Sequence, residues 1–374
     1  MSSASVVSVG PTAASSSANT GIRGIQGVPD GFPEQLNSPL AWIGANITEE
    51  DYIYYLTEYD KADIERAIEY FLNQELDGFE ANKENFPLPI LGPKLRAMSE
   101  EVHNGKGFCL IRGFDIENYP VEDATAIFFG IQSYIADERG RQDGHGNILV
   151  HINADKSNEL SKSHHRHSSE AITFHNEEAA DVVCWMTRST AESGGNCVIS
   201  SAYQTYNELA ATHPEYIRTL SKSNWAFSLP HFKCRPIIFY EDGKLVTNFG
   251  RTPLLGSIAH PRPSHLPSIN EAQCAALDAI ETIANKNRLE ITTQTGDMHF
   301  INNLAVFHRR DRFVDGTEKR HLIRTWNRDS KNGWKIPPDL SREYRDAYER
   351  DDFPSVCHLE PMPEGFFPLR KYPN

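Results

Sequence analysis

The 374-residue chain contains no Cys-x-x-Cys pair. Its six thiols, Cys109, Cys184, Cys197, Cys234, Cys274 and Cys357, are scattered, which excludes a zinc ribbon and a dense disulfide scaffold. No apolar run approaches the roughly 20 residues that cross a bilayer. The N-terminus is rich in Ser, Ala and Thr and lacks the apolar core of a secretory signal. These absences set the expectation of a cytoplasmic protein with reduced thiols and no membrane partner. Positive charge is also short. With 37 Lys and Arg against 51 Asp and Glu, the net charge is −14, so the broad basic face that nucleic acid requires is not encoded. A small anion is not excluded, because local arginines can hold one. Internal repeats are missing, and so is the strand–helix alternation of a parallel α/β sheet.

Apolar residues make up 39% of the chain and aromatics 10%, enough for a large core. Residues 1–20 are low in complexity and read as a disordered tail. Residues 21–374 read as a single domain with a helical N-terminal region and a β-rich core. Residues 60–72 carry apolar positions at helical spacing (Ile64, Ala67, Ile68, Phe71, Leu72), with Asp60 or Asp63 as the cap. Further helices are expected over 91–104, 121–134, 202–220 (broken near His213-Pro214) and 270–285. Short strands recur at 107–113, 148–152, 172–177, 181–187, 194–200, 236–240, 245–249 and 289–294. They continue at 296–301, around His308 and at 320–326. The polar stretch 153–170, with His164, His165, Arg166 and His167, reads equally as a solvated loop or a lid. Many short strands with inserted helices make the fold class mainly β, a closed architecture such as a jelly roll.

The chemistry centres on Ile172-Thr173-Phe174-His175-Asn176-Glu177. In an extended strand, residues i and i+2 share a face. His175 and Glu177 can therefore grip one ion while Asn176 points away. With a second histidine, the pair makes the two-His, one-carboxylate set of non-haem Fe(II) oxygenases. His308, in Asn302-Asn303-Leu304-Ala305-Val306-Phe307-His308-Arg309-Arg310, is the candidate. A His-x-acid triplet alone is weak, since it occurs three times here. His213-Pro214-Glu215 lies at a helix boundary and His358-Leu359-Glu360 in a proline-rich tail, so only the first has a strand setting.

Three blocks in order, Phe174-His175-Asn176-Glu177, Asn302-Asn303 to Phe313, and Arg320-His321-Leu322-Ile323-Arg324-Thr325-Trp326, resemble the taurine dioxygenase and clavaminate synthase-like family of Fe(II)/2-oxoglutarate oxygenases. The similarity runs from about Phe86 to about Trp334. It implies a double-stranded β-helix, that is, a jelly roll of the clavaminate synthase-like type. Fe(II) would be held by His175, Glu177 and His308, with 2-oxoglutarate and O2 as cosubstrates and no catalytic residue beyond the metal ligands. Glutamate in place of the commoner aspartate matches the clavaminate synthase-like branch. Arg320 matches the arginine for the distal carboxylate of 2-oxoglutarate. Cys197 stands where the family usually places Ser or Thr beside that carboxylate; either Arg320 suffices, a neighbour such as Ser200 compensates, or cosubstrate use has drifted. Arg324, four residues after Arg320 on the same strand face, would meet an acidic group of the substrate, a small carboxylate or amino-acid-like molecule from secondary metabolism. Asn147, Leu149, His151, Phe174, Trp185, Phe227 and Arg251 are the candidate pocket walls. The same residues also leave open a metal enzyme that does not use 2-oxoglutarate, such as a cupin-like isomerase or hydrolase, and a non-catalytic binding protein on an oxygenase barrel.

Overall fold

The structure is a computed structural model that describes residues 27–154, 168–257, 261–350, 352 and 354–361. The tail expected over residues 1–20 and the stretch His164–His167 lie outside the described residues. Helix α1 (Glu58–Leu72) is opened by Thr57, whose hydroxyl accepts from the Asp60 N–H while the Asp60 carboxylate accepts from the Thr57 N–H. This reciprocal capping box assigns the cap to Thr57 rather than to Asp60 or Asp63. Asp63 is instead buried and accepts from the N–H groups of Ile90 and Leu91 at 2.8 and 2.9 Å. Helices α2 (Gly92–Asn104) and α3 (Val121–Gln132) follow, and the apolar faces of all three join one core cluster.

That cluster lies on the outer face of a seven-stranded sheet. Its order is β1 (Ile53–Tyr55), β2 (Phe108–Arg112), β14 (Met298–Asn302), β6 (Val182–Ser189), β17 (His321–Arg328) and β3 (Glu138–Gly140), with β4 (Val150–Asn153) also paired to β17. Alternation divides each strand between two cores. On β6, Cys184 and Met186 pack under the helices, whereas Val183 and Trp185 belong to the inner cluster. The inner face meets a second sheet of order β13 (Leu289–Ile291), β8 (Cys197–Ser201), β15 (Val306–Arg310) and β5 (Ile172–His175). Helices α4 (Ala202–Thr212), α5 (Pro214–Leu220) and α7 (Glu271–Lys286) cover its far side; the four-residue α6 (Thr252–Leu255) precedes α7. Two facing sheets make the expected jelly roll, with helices layered on both outer faces.

Between β11 (Ile238–Glu241) and β12 (Lys244–Thr247), Asp242 and Gly243 both take positive φ, 49° and 76°, as a two-residue hairpin turn requires. Strands β1 and β3 and the C-terminal helix α8 (Ser341–Tyr348) were not expected from the sequence. None of the six cysteines is paired. No helix among the described residues is long and apolar enough to cross a membrane.

Candidate metal centre and cosubstrate pocket

Strands β5 and β15 are antiparallel neighbours, and His308 pairs directly opposite His175. The imidazole centroids are 4.4 Å apart. The β5 strand ends at His175, and Glu177 follows just beyond it. Its Oε1 lies 3.8 Å from His175 Nε2 and 3.5 Å from His308 Nε2. The three ligand atoms lie within 4.8 Å of one another, and among the described residues no other His, Cys or acidic group does this. His213 and Glu215 also touch, at 3.0 Å, but on the surface and without a third ligand among the described residues.

The donor set is prepared for a cation. His175 Nδ1 faces the Thr173 carbonyl at 2.9 Å, so Nδ1 carries the proton and Nε2 offers its lone pair. Burial and the neighbouring His308 push the His175 imidazole down to about 4, leaving it neutral at pH 7. Burial alone would raise the Glu177 carboxyl; Arg324 and the two imidazoles outweigh it and hold Glu177 well below the usual range, as a carboxylate.

The chain around Glu177 is held by amides that the sequence reading assigned no role. Asn303 Oδ1 accepts from the Glu177 N–H at 2.6 Å, and its Nδ2 donates to the carbonyls of Glu177 and Ala180 at 3.0 and 2.8 Å. Asn248 Nδ2 donates to the carbonyls of Glu177 and Glu178, both at 3.2 Å. Asn176 does point away from the two imidazoles, donating to the Asn303 carbonyl at 2.6 Å and accepting from the Phe249 N–H at 3.0 Å. Such outer contacts orient a ligand that no longer has a sheet to hold it.

A cleft opens over the three ligands, lined by Trp185, Cys197, Arg310, Arg320, Leu322 and Arg324. Arg320 lies just before β17, with its guanidinium carbon 5.3 Å from the centre of the Phe313 ring. Gly195 makes this approach possible: a Cβ there would stand 2.9 Å from Arg320 Nε. Arg320 Nη1 is buried and has no hydrogen-bond partner. An orphaned cationic donor facing a cleft is what a carboxylate ligand would satisfy. Cys197 does face the cleft, but burial pushes its thiol up to about 12, so it is protonated and a weak donor. Ser200 cannot compensate. It pairs with Phe307, one residue before His308 along β15, and so faces away from the cleft.

Arg324 forms an ion pair with Glu177 through Nη1. Its Nε donates to Gln142 Oε1 at 3.0 Å, and Gln142 Nε2 donates back to the Arg324 carbonyl at 2.8 Å. Arg324 Nη2 is buried without a partner. No local pattern marks Gln142, which reaches Arg324 from the other end of the chain.

Of the expected walls, Trp185 lines the cleft; the others lie elsewhere. Leu149 is fully buried in the core on the helical side of the large sheet. Asn147 Nδ2 donates to Asp143 at 2.8 Å. Phe174 adjoins His175 in a strand and must face the opposite side, where Arg309 lies 5.1 Å from its ring centre. His151 bonds His321 and the His358 carbonyl, both at 2.8 Å. Phe227 lies beneath Arg235, 3.6 Å from its ring centre, and Arg251 pairs with Asp278 at 2.8 Å.

Asp181, four residues past Glu177, bears on stability rather than on the cleft. Burial pushes its carboxyl up to about 7, against the pull of Arg328 at 3.3 Å. An unfolded aspartate titrates near about 3.9. Between these values the unfolded chain has lost the proton that the folded chain keeps. This group's contribution therefore falls as pH rises through that window, by about 4 kcal/mol in all. In Asp181→Asn that slope is expected to vanish, so urea unfolding from pH 5 to 7.5 should show the variant gaining on the wild type. Parallel profiles would mean that Asp181 is ionised throughout.

Residues 72–326 match the model of the family described as Taurine catabolism dioxygenase TauD, TfdA family. The chain belongs to that family. As a TauD/TfdA member it is an Fe(II)- and 2-oxoglutarate-dependent dioxygenase, and its His-Glu-His donors and orphaned Arg320 suit both groups. The chain is 32% identical over 348 residues, 88% of its length and 89% of the relative's, to the Taurine hydroxylase-like protein SAT17 of Stachybotrys chartarum (strain CBS 109288 / IBT 7711). It is 24% identical over 318 residues, 80% of its length and 92% of the relative's, to FR-33289 synthase of Streptomyces rubellomurinus (strain ATCC 31215). Among solved structures, asparagine oxygenase in complex with Fe(II), 2S,3S-3-hydroxyasparagine and succinate aligns with a TM-score of 0.60 at 13% identity, covering 76% of this chain and 98% of that one. The non-heme iron oxygenase OrfP in complex with Fe and alpha-ketoglutaric acid aligns with a TM-score of 0.54 at 15% identity, covering 74% and 94%. These two establish the likeness of fold.

Proposed function

We propose that this dioxygenase oxidises a C–H bond of a small carboxylate or amino-acid-like substrate, with His175, Glu177 and His308 holding Fe(II), Arg320 the distal carboxylate of 2-oxoglutarate, and Arg324 an acidic group of the substrate. The observation that carries the reading is the placement of two buried arginines, each with a partnerless N–H, on one edge of the cleft above the His-Glu-His donors. The bound iron, with 2-oxoglutarate and O2, supplies the oxidation, coupled to release of succinate and CO2.

The chain's own residues supply geometry and a dry pocket. Arg324 can keep Glu177 on Nη1 while Nη2 takes an anion, so substrate binding need not release the ligand. Gln142 fixes the guanidinium plane from the far side. Trp185 and Leu322 give the same cleft an apolar wall, which suits the carbon skeleton next to the acidic group. The wall excludes water from the C–H bond that reacts. A relative named as taurine hydroxylase-like and solved neighbours holding 3-hydroxyasparagine or (3S)-hydroxy-L-Arg support a substrate of this size.

Amino, carboxylic and sulfonic acids screened for stimulated succinate release should reveal the class. In Arg324→Ala, assayed at saturating Fe(II) because loss of the Glu177 ion pair also weakens the metal site, the effective substrate is expected to bind about 10- to 100-fold more weakly, the worth of one charge-assisted contact. An unchanged KM for that substrate would remove Arg324 from the assignment.

A further inference from the structure

We propose that Thr187 is a cosubstrate-binding residue, whose hydroxyl donates to the distal carboxylate of 2-oxoglutarate beside Arg320. The inference rests on the assignment of Arg320 to that carboxylate. Thr187 lies on β6, two residues past Trp185, and so shares the inner face of the large sheet with it. It pairs in register with Leu322 on β17. Trp185 and Leu322 both line the cleft, so Thr187 belongs to the floor between them. Arg320 precedes Leu322 by two residues. That makes it the diagonal neighbour of Thr187 across two antiparallel strands, a separation that a long side chain spans.

Thr187 is fully buried, and its hydroxyl has no hydrogen-bond partner. Its backbone is engaged on both sides. The N–H donates to the Asp297 carbonyl at 2.9 Å, and the carbonyl accepts from the Gly296 N–H at 2.8 Å. A helix offers a threonine hydroxyl the carbonyl one turn back, as Thr125 shows by donating to Val121 at 2.6 Å; a strand offers none. A buried hydroxyl left unpaired is costly, and valine would fill the same volume without that cost. The side chain is therefore explained by an acceptor that arrives from outside the chain. Arg320 Nη1 is orphaned at the same end of the cleft. A carboxylate accepts through two oxygens and about four lone pairs, more than Arg320 Nη1 alone supplies. The other polar groups there are weaker claimants. Cys197 offers only a protonated thiol. Asn196 and Thr293 line the cleft half-exposed, where water satisfies them. His299 also has two unpartnered ring nitrogens, but it sits on β14 opposite Trp185, stacked on it at 4.9 Å and one strand further from β17. The distal carboxylate would thus meet one charged and one neutral donor, which favours a 2-oxo dicarboxylate over a 2-oxo monocarboxylate.

The test compares 2-oxoglutarate with 2-oxobutyrate, which has the same 2-oxo acid end and no distal carboxylate. Each is titrated anaerobically into the Fe(II) enzyme, and the visible charge-transfer absorption of the chelated 2-oxo acid is read as binding. In Thr187→Val, which keeps the shape and removes the hydroxyl, 2-oxoglutarate is expected to weaken by about 10-fold and 2-oxobutyrate by less than about 3-fold. Thr187→Ser keeps the hydroxyl and should stay within about 3-fold of the wild type for both acids. Thr187→Ala carries the test if the valine variant does not fold. Urea unfolding without ligand gives a second reading. The midpoint of Thr187→Val should hold or rise, because an unpaired buried hydroxyl has gone. A lower midpoint with an unchanged preference would assign the hydroxyl to the fold and overturn the proposal. Equal weakening of both acids, or no change in either, would overturn it as well. So would a preference that collapses in His299→Phe but not in Thr187→Val. Arg320→Met separates the two levels. If it lowers the preference and Thr187→Val does not, this inference alone fails. If Arg320→Met leaves the preference intact, the assignment beneath it fails too.

Discussion

Replacing His308 by alanine is expected to leave a folded chain that no longer binds Fe(II) stoichiometrically. His308 contributes to its strand through the backbone, which pairs with β8 on one side and β5 on the other, so truncation of the ring does not unpair the sheet. What it removes is one of three donors. His175 and Glu177 alone form an open chelate, and Arg324 then holds Glu177 without competition from a metal. Loss of an outer contact to a ligand typically costs 10- to 100-fold in affinity, and loss of the ligand itself should exceed about 100-fold. Two measurements check this. Iron bound per chain should fall from near one to near zero at micromolar Fe(II). The thermal stabilisation that Fe(II) gives the wild type, about 4 kcal/mol at a thousand times its Kd, should vanish. A variant that still binds one iron per chain with wild-type affinity would place the metal elsewhere.

Arg320→Ala is expected to separate iron from cosubstrate. The Arg320 side chain leans on Phe313 and Gly195 and makes no hydrogen bond or ion pair with His175, Glu177 or His308. Fe(II) binding should therefore be unchanged. Removal of a fixed guanidinium from a buried carboxylate costs more than loss of a neutral hydrogen bond, because the carboxylate is left desolvated. The 2-oxoglutarate charge-transfer absorption should require about 100-fold more ligand or fail to appear. Succinate formation should fall in step. If iron binds and the 2-oxoglutarate affinity of the variant equals that of the wild type, the cosubstrate is held by other residues. If the wild type itself shows no such absorption, the barrel is an iron enzyme of another kind.

What the sequence made legible is what local geometry determines. The two-residue period of a strand placed Asn176 opposite His175, and it placed Arg320 and Arg324 on one face. The same rule, applied to its own neighbours, would have excluded Phe174 from the cleft and Ser200 from the cosubstrate pocket, and would have put Arg310 beside His308. Those errors came from nearness in sequence. Asn303 lies inside the Asn302-to-Arg310 motif, yet its role depends on meeting the chain after β5 from the distant turn between β14 and β15. Gln142 and Asn248 reach their partners across the fold, and no periodicity foretells such contacts. Helix α8 was missed because it carries few apolar positions; its tyrosines dock instead, with Tyr348 donating to the Ala179 carbonyl at 3.1 Å.

The direct pairing of His175 with His308 makes the metal a gauge of sheet register. Those two strands are far apart in sequence, and they meet only once the second sheet has assembled. A slip of one residue along β15 would turn His308 and Arg310 outward and bring Phe307 and Arg309 inward. Such a chain would keep its strand content and much of its apolar burial, yet it could bind neither iron nor cosubstrate. The iron content of a preparation therefore counts the molecules in which β5 and β15 paired in the correct register, a distinction that circular dichroism does not draw.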